Sequence, residues 1–256
     1  MSLATIAAGF AIGLLIGLTG IGGGALMTPF LLLALHLDPI HAIGTDLAFA
    51  FVAKSASALQ HRRQKTVWLR PAFFISLGSV PASLLASWFV VSQSHNRVWL
   101  EHHLPRLLGG MLILVALLAS GRTLGCIKES ANQEERWPSW WQNLLLGLAI
   151  GMLVGLTSIG SGTLLIATLL LFFVIPSDHL VGLNVLVGAL LSFFPMLLYA
   201  YHGFVVWDLL GLLLLGALPG TILGARMVTK TSTKTIRLIA SFLVLLSGVR
   251  LWIGTY

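Results

Sequence analysis

Charge is what this chain lacks most. Only 9% of its residues are Asp, Glu, Lys or Arg, against about 25% in a soluble domain. So few charges cannot cover a water-facing surface, which excludes a soluble globular fold. Cysteine is scarcer still. The single Cys126 excludes an internal disulfide and a cysteine metal cluster. No Lys or Arg precedes the first apolar run, where a cleavable signal peptide carries positive charge. Residues Met1 to Leu18 are therefore expected to remain in the mature protein. No G-x-S-x-G, H-E-x-x-H or Walker pattern occurs. No histidine has metal-ligand spacing with an acidic partner. Catalytic residues, metals and cofactors are accordingly all expected to be none.

What is present is apolar. Hydrophobic residues make up 57% of the chain, in long runs without strand alternation. Such runs are membrane helices rather than barrel strands. The formal charge of +7 does not point to nucleic acid. The basic residues gather in short loops, where they set membrane orientation.

The sequence is also duplicated. Gly17 to Gly24 reads GLTGIGGG and returns 138 positions downstream as Gly155 to Gly162, reading GLTSIGSG. From Ala11 to Gly24 this offset pairs ten identical residues in fourteen. It also pairs His41 with His179, Gly44 with Gly182, Gly78 with Gly216 and Pro81 with Pro219. The expected organisation is a first transmembrane repeat over 1–121, a polar cytoplasmic linker over 122–139 and a second repeat over 140–256.

Each repeat shows five apolar segments, at 3–19, 25–37, 41–60, 68–91 and 105–121, then 140–157, 162–175, 179–200, 206–226 and 235–254. The second of each set is too short to span a bilayer, which takes about 20 residues. Segments one and two are therefore expected to form a broken or re-entrant pair around the glycine loop. Backbone of that kind is tolerated only inside protein or beside a cavity. The basic clusters His61–Lys65 and Arg226–Arg237 both read as cytoplasmic. They fall after different segments of their repeats, and each repeat crosses an odd number of times. The fold class expected is all-α, a polytopic helical bundle of two inverted repeats.

Three groups of residues could carry chemistry. The glycine loops offer Thr19, Gly20, Gly22, Gly23 and Gly24, then Thr157, Ser158, Gly160, Ser161 and Gly162. A loop that opens a helix presents free N–H groups and a positive dipole end, both suited to an anion. The same glycines also fit the small-residue spacing of packed helices. Asp46, whose repeat mate is Asn184, reads either as a helix cap or as a proton or substrate group. Lys54 stands in the middle of an apolar run. It either faces a cavity or partner or snorkels toward Arg62 and Arg63.

At these residues the chain resembles the TauE/SafE family. The resemblance rests on the paired glycine motifs, on His41-Ala42-Ile43-Gly44-Thr45-Asp46 followed by Lys54 and His61, and on His202-Gly203 followed by Val206-Trp207-Asp208. The second-half counterpart of Gly44-Thr45 is Gly182-Leu183. The resemblance implies a cytoplasmic-membrane exporter of small sulfur anions such as sulfite or organosulfonates. The partners expected are that anion and the lipid bilayer, with no nucleic acid. A homo-oligomer is left open. A carrier of another small anion and a non-transporting membrane scaffold are the alternatives.

Overall fold

The computed structural model describes residues 2–19, 24–63, 69–124, 139–160, 162–172, 177–227 and 233–254. Among them there are helices and no strands. In the first repeat these are α1 (Ser2–Thr19), α2 (Gly24–Pro29), α3 (Pro39–Arg63), α4 (Leu69–Ser92), α5 (Arg97–His102) and α6 (Leu104–Thr123). A π-helical turn, Phe30–Ala34, prolongs α2. The second repeat holds α7 (Trp140–Thr157), α8 (Thr163–Phe172), α9 (Ser177–Tyr201), α10 (Trp207–Met227) and α11 (Thr233–Ile253).

The described residues include 5 helices long and apolar enough to cross a membrane. The bundle is turned inside out relative to a soluble protein. Leu85, Trp88, Leu215 and Phe242 are exposed, whereas Asp46, Lys54 and Asn184 are buried. An apolar exterior around a polar interior suits lipid as the outer solvent. The molecule is an all-α, multi-pass membrane bundle.

One expected helix break is present: α7 stops at Thr157 and α8 starts at Thr163. The other, between Thr19 and Gly24, lies outside the described residues. The ten residues of α8 rise only about 15 Å, half the hydrocarbon thickness. α5 had no counterpart among the expected segments. Asn96 starts it by accepting the Trp99 N–H at 3.1 Å, and the Trp99 ring stacks on His103.

Helix pairing follows the duplication. α1 lies along α10 as α7 lies along α4, and α3 packs on α9 as α6 packs on α11. The pairing survives exchange of the halves even at single residues. A Cβ added at Gly13 would sit 2.7 Å from Ala217 Cα, and one at its mate Gly151 would sit 2.6 Å from Ser79 Cα. Ala217 and Ser79 are mates as well. The small-residue spacing at Gly13 and Gly151 is thus used for backbone contact between helices. α3 and α9 run antiparallel: Gly44 meets Tyr199, Phe51 stacks near Phe193, and Lys54 meets Gly188. α6 and α11 do likewise, since Gly109 meets Trp252 and Ile113 meets Gly248.

Most of the polar linker, with Cys126, lies outside the described residues, as do the side chains of both basic clusters.

Candidate functional site

Asp46 sits where the two halves meet. Because α3 already begins at Pro39, Asp46 is about two turns inside the helix and does not cap it. Its side chain is fully buried. The Thr28 hydroxyl donates to Asp46 Oδ2 at 2.7 Å, and the Ser158 hydroxyl reaches the same oxygen at 2.8 Å. Those two hydroxyls are 3.1 Å apart. Thr28 stands one turn beyond Gly24, on the same face of α2. A Cβ at Gly24 would lie 3.0 Å from Asp46 Oδ2 and 2.9 Å from the Ser158 carbonyl oxygen. The missing side chain is therefore what lets α2 close over both residues.

The other half contributes through a helix end. Ser158 caps the C-terminus of α7 in the left-handed region, φ 58°, with its N–H bonded to the Val154 carbonyl at 2.6 Å. Left-handed geometry suits a helix C-cap, usually on glycine. Gly160 follows at φ 90°, which only glycine adopts freely. A side chain there would also strike Leu164 Cδ1 at 2.6 Å. The Thr157 hydroxyl serves the helix end itself: it donates to the Leu153 carbonyl at 2.7 Å and accepts the Ile159 N–H at 3.3 Å. The Gly162 carbonyl accepts the Ile166 N–H at 3.2 Å in the first turn of α8.

Lys54 lies about two turns beyond Asp46 on α3 and is only 8% exposed. Its ammonium presses on α9, where a Cβ at Gly188 would be 2.6 Å from Nζ. Asn184 is one turn before Gly188 and is also buried. Ser192, the repeat mate of Lys54, is one turn after and donates to the Gly188 carbonyl at 2.8 Å. Lys54 is thus turned into the bundle and does not snorkel.

Asp46, Ser158 and Gly24 come together. Lys54 and Asn184 form a neighbouring layer between α3 and α9. Thr157, Gly160 and Gly162 shape the break. The side chain of Thr19 lies outside the described residues, as do Gly20, Gly22, Gly23 and Ser161 entirely. Sequence reading passed over two residues. Thr28 is the hydroxyl in an apolar segment, four places after Gly24, and that spacing was a usable signal. Gly188 gave none.

Above Asp46, toward the start of α3, the chain is pinned. Thr45 accepts the Val206 N–H at 3.1 Å, and a Cβ at Gly44 would touch Tyr199 Cβ at 3.1 Å and the Phe204 carbonyl more closely. Beyond that clamp is a cavity of about 250 Å³ lined by Asp38, His41, Ser94, Glu101 and Phe204, among others. His41 Nδ1 is 3.7 Å from Asp38 Oδ2. No group of acidic, His or Cys side chains among the described residues is arranged to hold a metal ion.

Comparison with known proteins agrees with this architecture. No solved structure matches the chain significantly. The probable membrane transporter protein YjnA of Bacillus subtilis is 33% identical over 98% of this chain and 100% of its own. Two others from that organism are the probable membrane transporter proteins YdhB and YunE. YdhB is 29% identical over 85% of this chain and 86% of its own length. YunE is 28% identical over 91% of each. The family described as Sulfite exporter TauE/SafE matches residues 5–251. With the family pattern running nearly end to end, over a helical bundle broken at the second glycine motif, the chain belongs to the TauE/SafE family of membrane transporters.

Proposed function

We propose that this protein is a secondary transporter that moves small sulfur-containing anions, such as sulfite or organosulfonates, outward across the cytoplasmic membrane. The observation that carries the reading is Lys54, an ammonium held inside the bundle against Gly188. A charge buried at such a depth is costly and is normally kept for a substrate or ion path. The helix break at Ser158, which meets Asp46 on the same helix as Lys54, resembles the discontinuous helices around which carriers build their sites. The family description supports the sulfur anion and the outward direction. With no nucleotide-binding motif in the sequence, the driving force is an ion gradient or the anion's own gradient.

The test is transport in proteoliposomes with a panel of sulfite, sulfoacetate, sulfate, thiosulfate and simple carboxylates. Wild-type protein is expected to exchange at least one sulfur anion. Lys54→Met is expected to lower that exchange by more than about tenfold, as loss of a charge-assisted contact of about 1.5–3 kcal/mol would. Exchange of no anion by the wild type defeats the reading. Exchange of a carboxylate alone would reassign the substrate.

A further inference from the structure

The oxygens around Asp46 are too many for the protons available. Asp46 Oδ1 and Oδ2, Thr28 Oγ1, Ser158 Oγ and the Thr157 carbonyl gather within successive hydrogen-bond distances of 2.6 to 3.1 Å, apart from Oδ1. Among the described residues, these five oxygens therefore share the two hydroxyl protons of Thr28 and Ser158. The Ser158 proton alone faces both Asp46 Oδ2 at 2.8 Å and the Thr157 carbonyl at 2.6 Å. Asp46 Oδ1 is buried and has no hydrogen-bond partner among the described residues. The α7 end supplies the negative pole of a helix dipole at the same point. Such a place repels anions and favours a cation. Lys54 follows about two turns along α3, with its ammonium on Gly188.

We infer that the cluster of Asp46, Thr28 and Ser158 with the α7 carbonyl end binds a small monovalent cation, H⁺ or Na⁺, that is coupled to the anion at Lys54. Unwound helix C-termini and hydroxyls are suitable cation ligands in carriers, where half-helix ends meet at mid-membrane. The mirror position cannot do the same. There Asp46 is replaced by Asn184, Thr28 by Ile166 and Ser158 by Gly20, so one half binds the cation and the other does not. The approach is from the cavity lined by Asp38, His41 and Glu101, whose carboxylates favour a cation. His41 precedes Asp46 by five residues, a rise of about 7.5 Å, with the Thr45–Val206 clamp between them.

The coupling is electrostatic. While Asp46 is ionised, its field offsets that of Lys54. A cation at Asp46 removes that offset and leaves the ammonium to draw in an anion. Their positions on α3 are about 12 Å apart in rise, and charges at that spacing and an effective dielectric of about 20 would change each other's occupancy about tenfold. Loading of this kind is reversible. Net movement is outward wherever the anion's internal excess outweighs the cation gradient.

The coupling rests on the carrier reading above, but cation binding is measured without any anion, so the two can fail separately. Purified protein in detergent is titrated with NaCl against choline chloride, following thermal stability, and is separately acidified in unbuffered solution, following proton uptake. For a sodium site, Na⁺ raises the melting temperature and Asp46→Asn abolishes the rise. The Thr28→Ala and Ser158→Ala variants, which keep the carboxylate, then weaken apparent Na⁺ affinity about tenfold each. For a proton site, Na⁺ does nothing, and wild type takes up one more proton per chain than Asp46→Asn. Should Asp46→Asn not fold, the wild-type response and the two hydroxyl variants decide. For H⁺, these variants shift the midpoint of uptake upward, because each removes a donor to the ionised carboxylate. A protein with neither Na⁺ stabilisation nor an Asp46-dependent proton overturns the inference. So does Na⁺ stabilisation that survives unchanged in Asp46→Asn.

Discussion

Charged residues inside lipid announce themselves, and Asp46 and Lys54 were visible for that reason. Their roles were less so. The capping reading of Asp46 assumed a helix starting near His41, whereas Pro39 starts it earlier, with the fixed φ suited to a first turn. The hydroxyl of Ser158 was read as an anion donor because the glycine motif seemed to open a helix. A break has two ends, however, one rich in N–H and one rich in carbonyls, and sequence does not say which end a given residue joins. Ser158 joins the carbonyl end of α7 and donates to a carboxylate. Gly160 provides the sharpest single-residue prediction. At φ 90° and against Leu164, a branched side chain meets both backbone strain and a clash. Gly160→Val is expected to abolish anion exchange and to lower stability by about 1–3 kcal/mol. Proteoliposome flux and thermal denaturation check the two halves of that statement, and wild-type values in both would show the break to be tolerant.

At the scale of elements, the segment boundaries were legible because polar loops punctuate the apolar runs. Partner choice was legible only in outline. Gly9, Gly13, Gly147 and Gly151 give the spacing of packed helices, but nothing in a sequence says that α1 chooses α10 and α7 chooses α4. The choice is visible in the repeat register: Gly9 meets Leu213 while Gly147 meets their mate Ile75. Since these are one contact made twice, Gly13→Ala and Gly151→Ala should lower thermal stability by similar amounts, about 1–3 kcal/mol each. The two sites share no partner, so their effects should add in the double variant. A large loss at one and none at the other would mean that the halves pack by different rules. Gly13 is also the natural comparison for Gly160. Its replacement breaks a helix contact, so lost transport there must be compared with lost stability before it is set beside Gly160.

At the scale of the whole molecule, we propose from the direction of the mates that the halves sit inverted in the bilayer. Two helices related by an axis along the membrane normal run parallel. α3 and α9 are mates and run antiparallel, and α6 and α11 repeat the pattern. An axis lying in the membrane plane would produce that relation and would invert one half against the other. The basic loops argue the same from an independent quantity. Lys65 lies between the third and fourth segments of the first repeat, and Lys234 between the fourth and fifth of the second. In parallel repeats these two loops would face opposite sides. In inverted repeats they face the same side, and the positive-inside rule makes that side the cytoplasm. With Cys126 first replaced by serine, Lys65→Cys and Lys234→Cys should each react with a membrane-impermeant maleimide only when the cytoplasmic face is open. Ser94→Cys, beside the cavity at the start of α3, should react only from outside. Labelling of positions 65 and 234 from opposite faces would refute the inverted arrangement. It would also remove the reason for placing the Asp38 and Glu101 cavity on the outer side, where an external cation would have to enter.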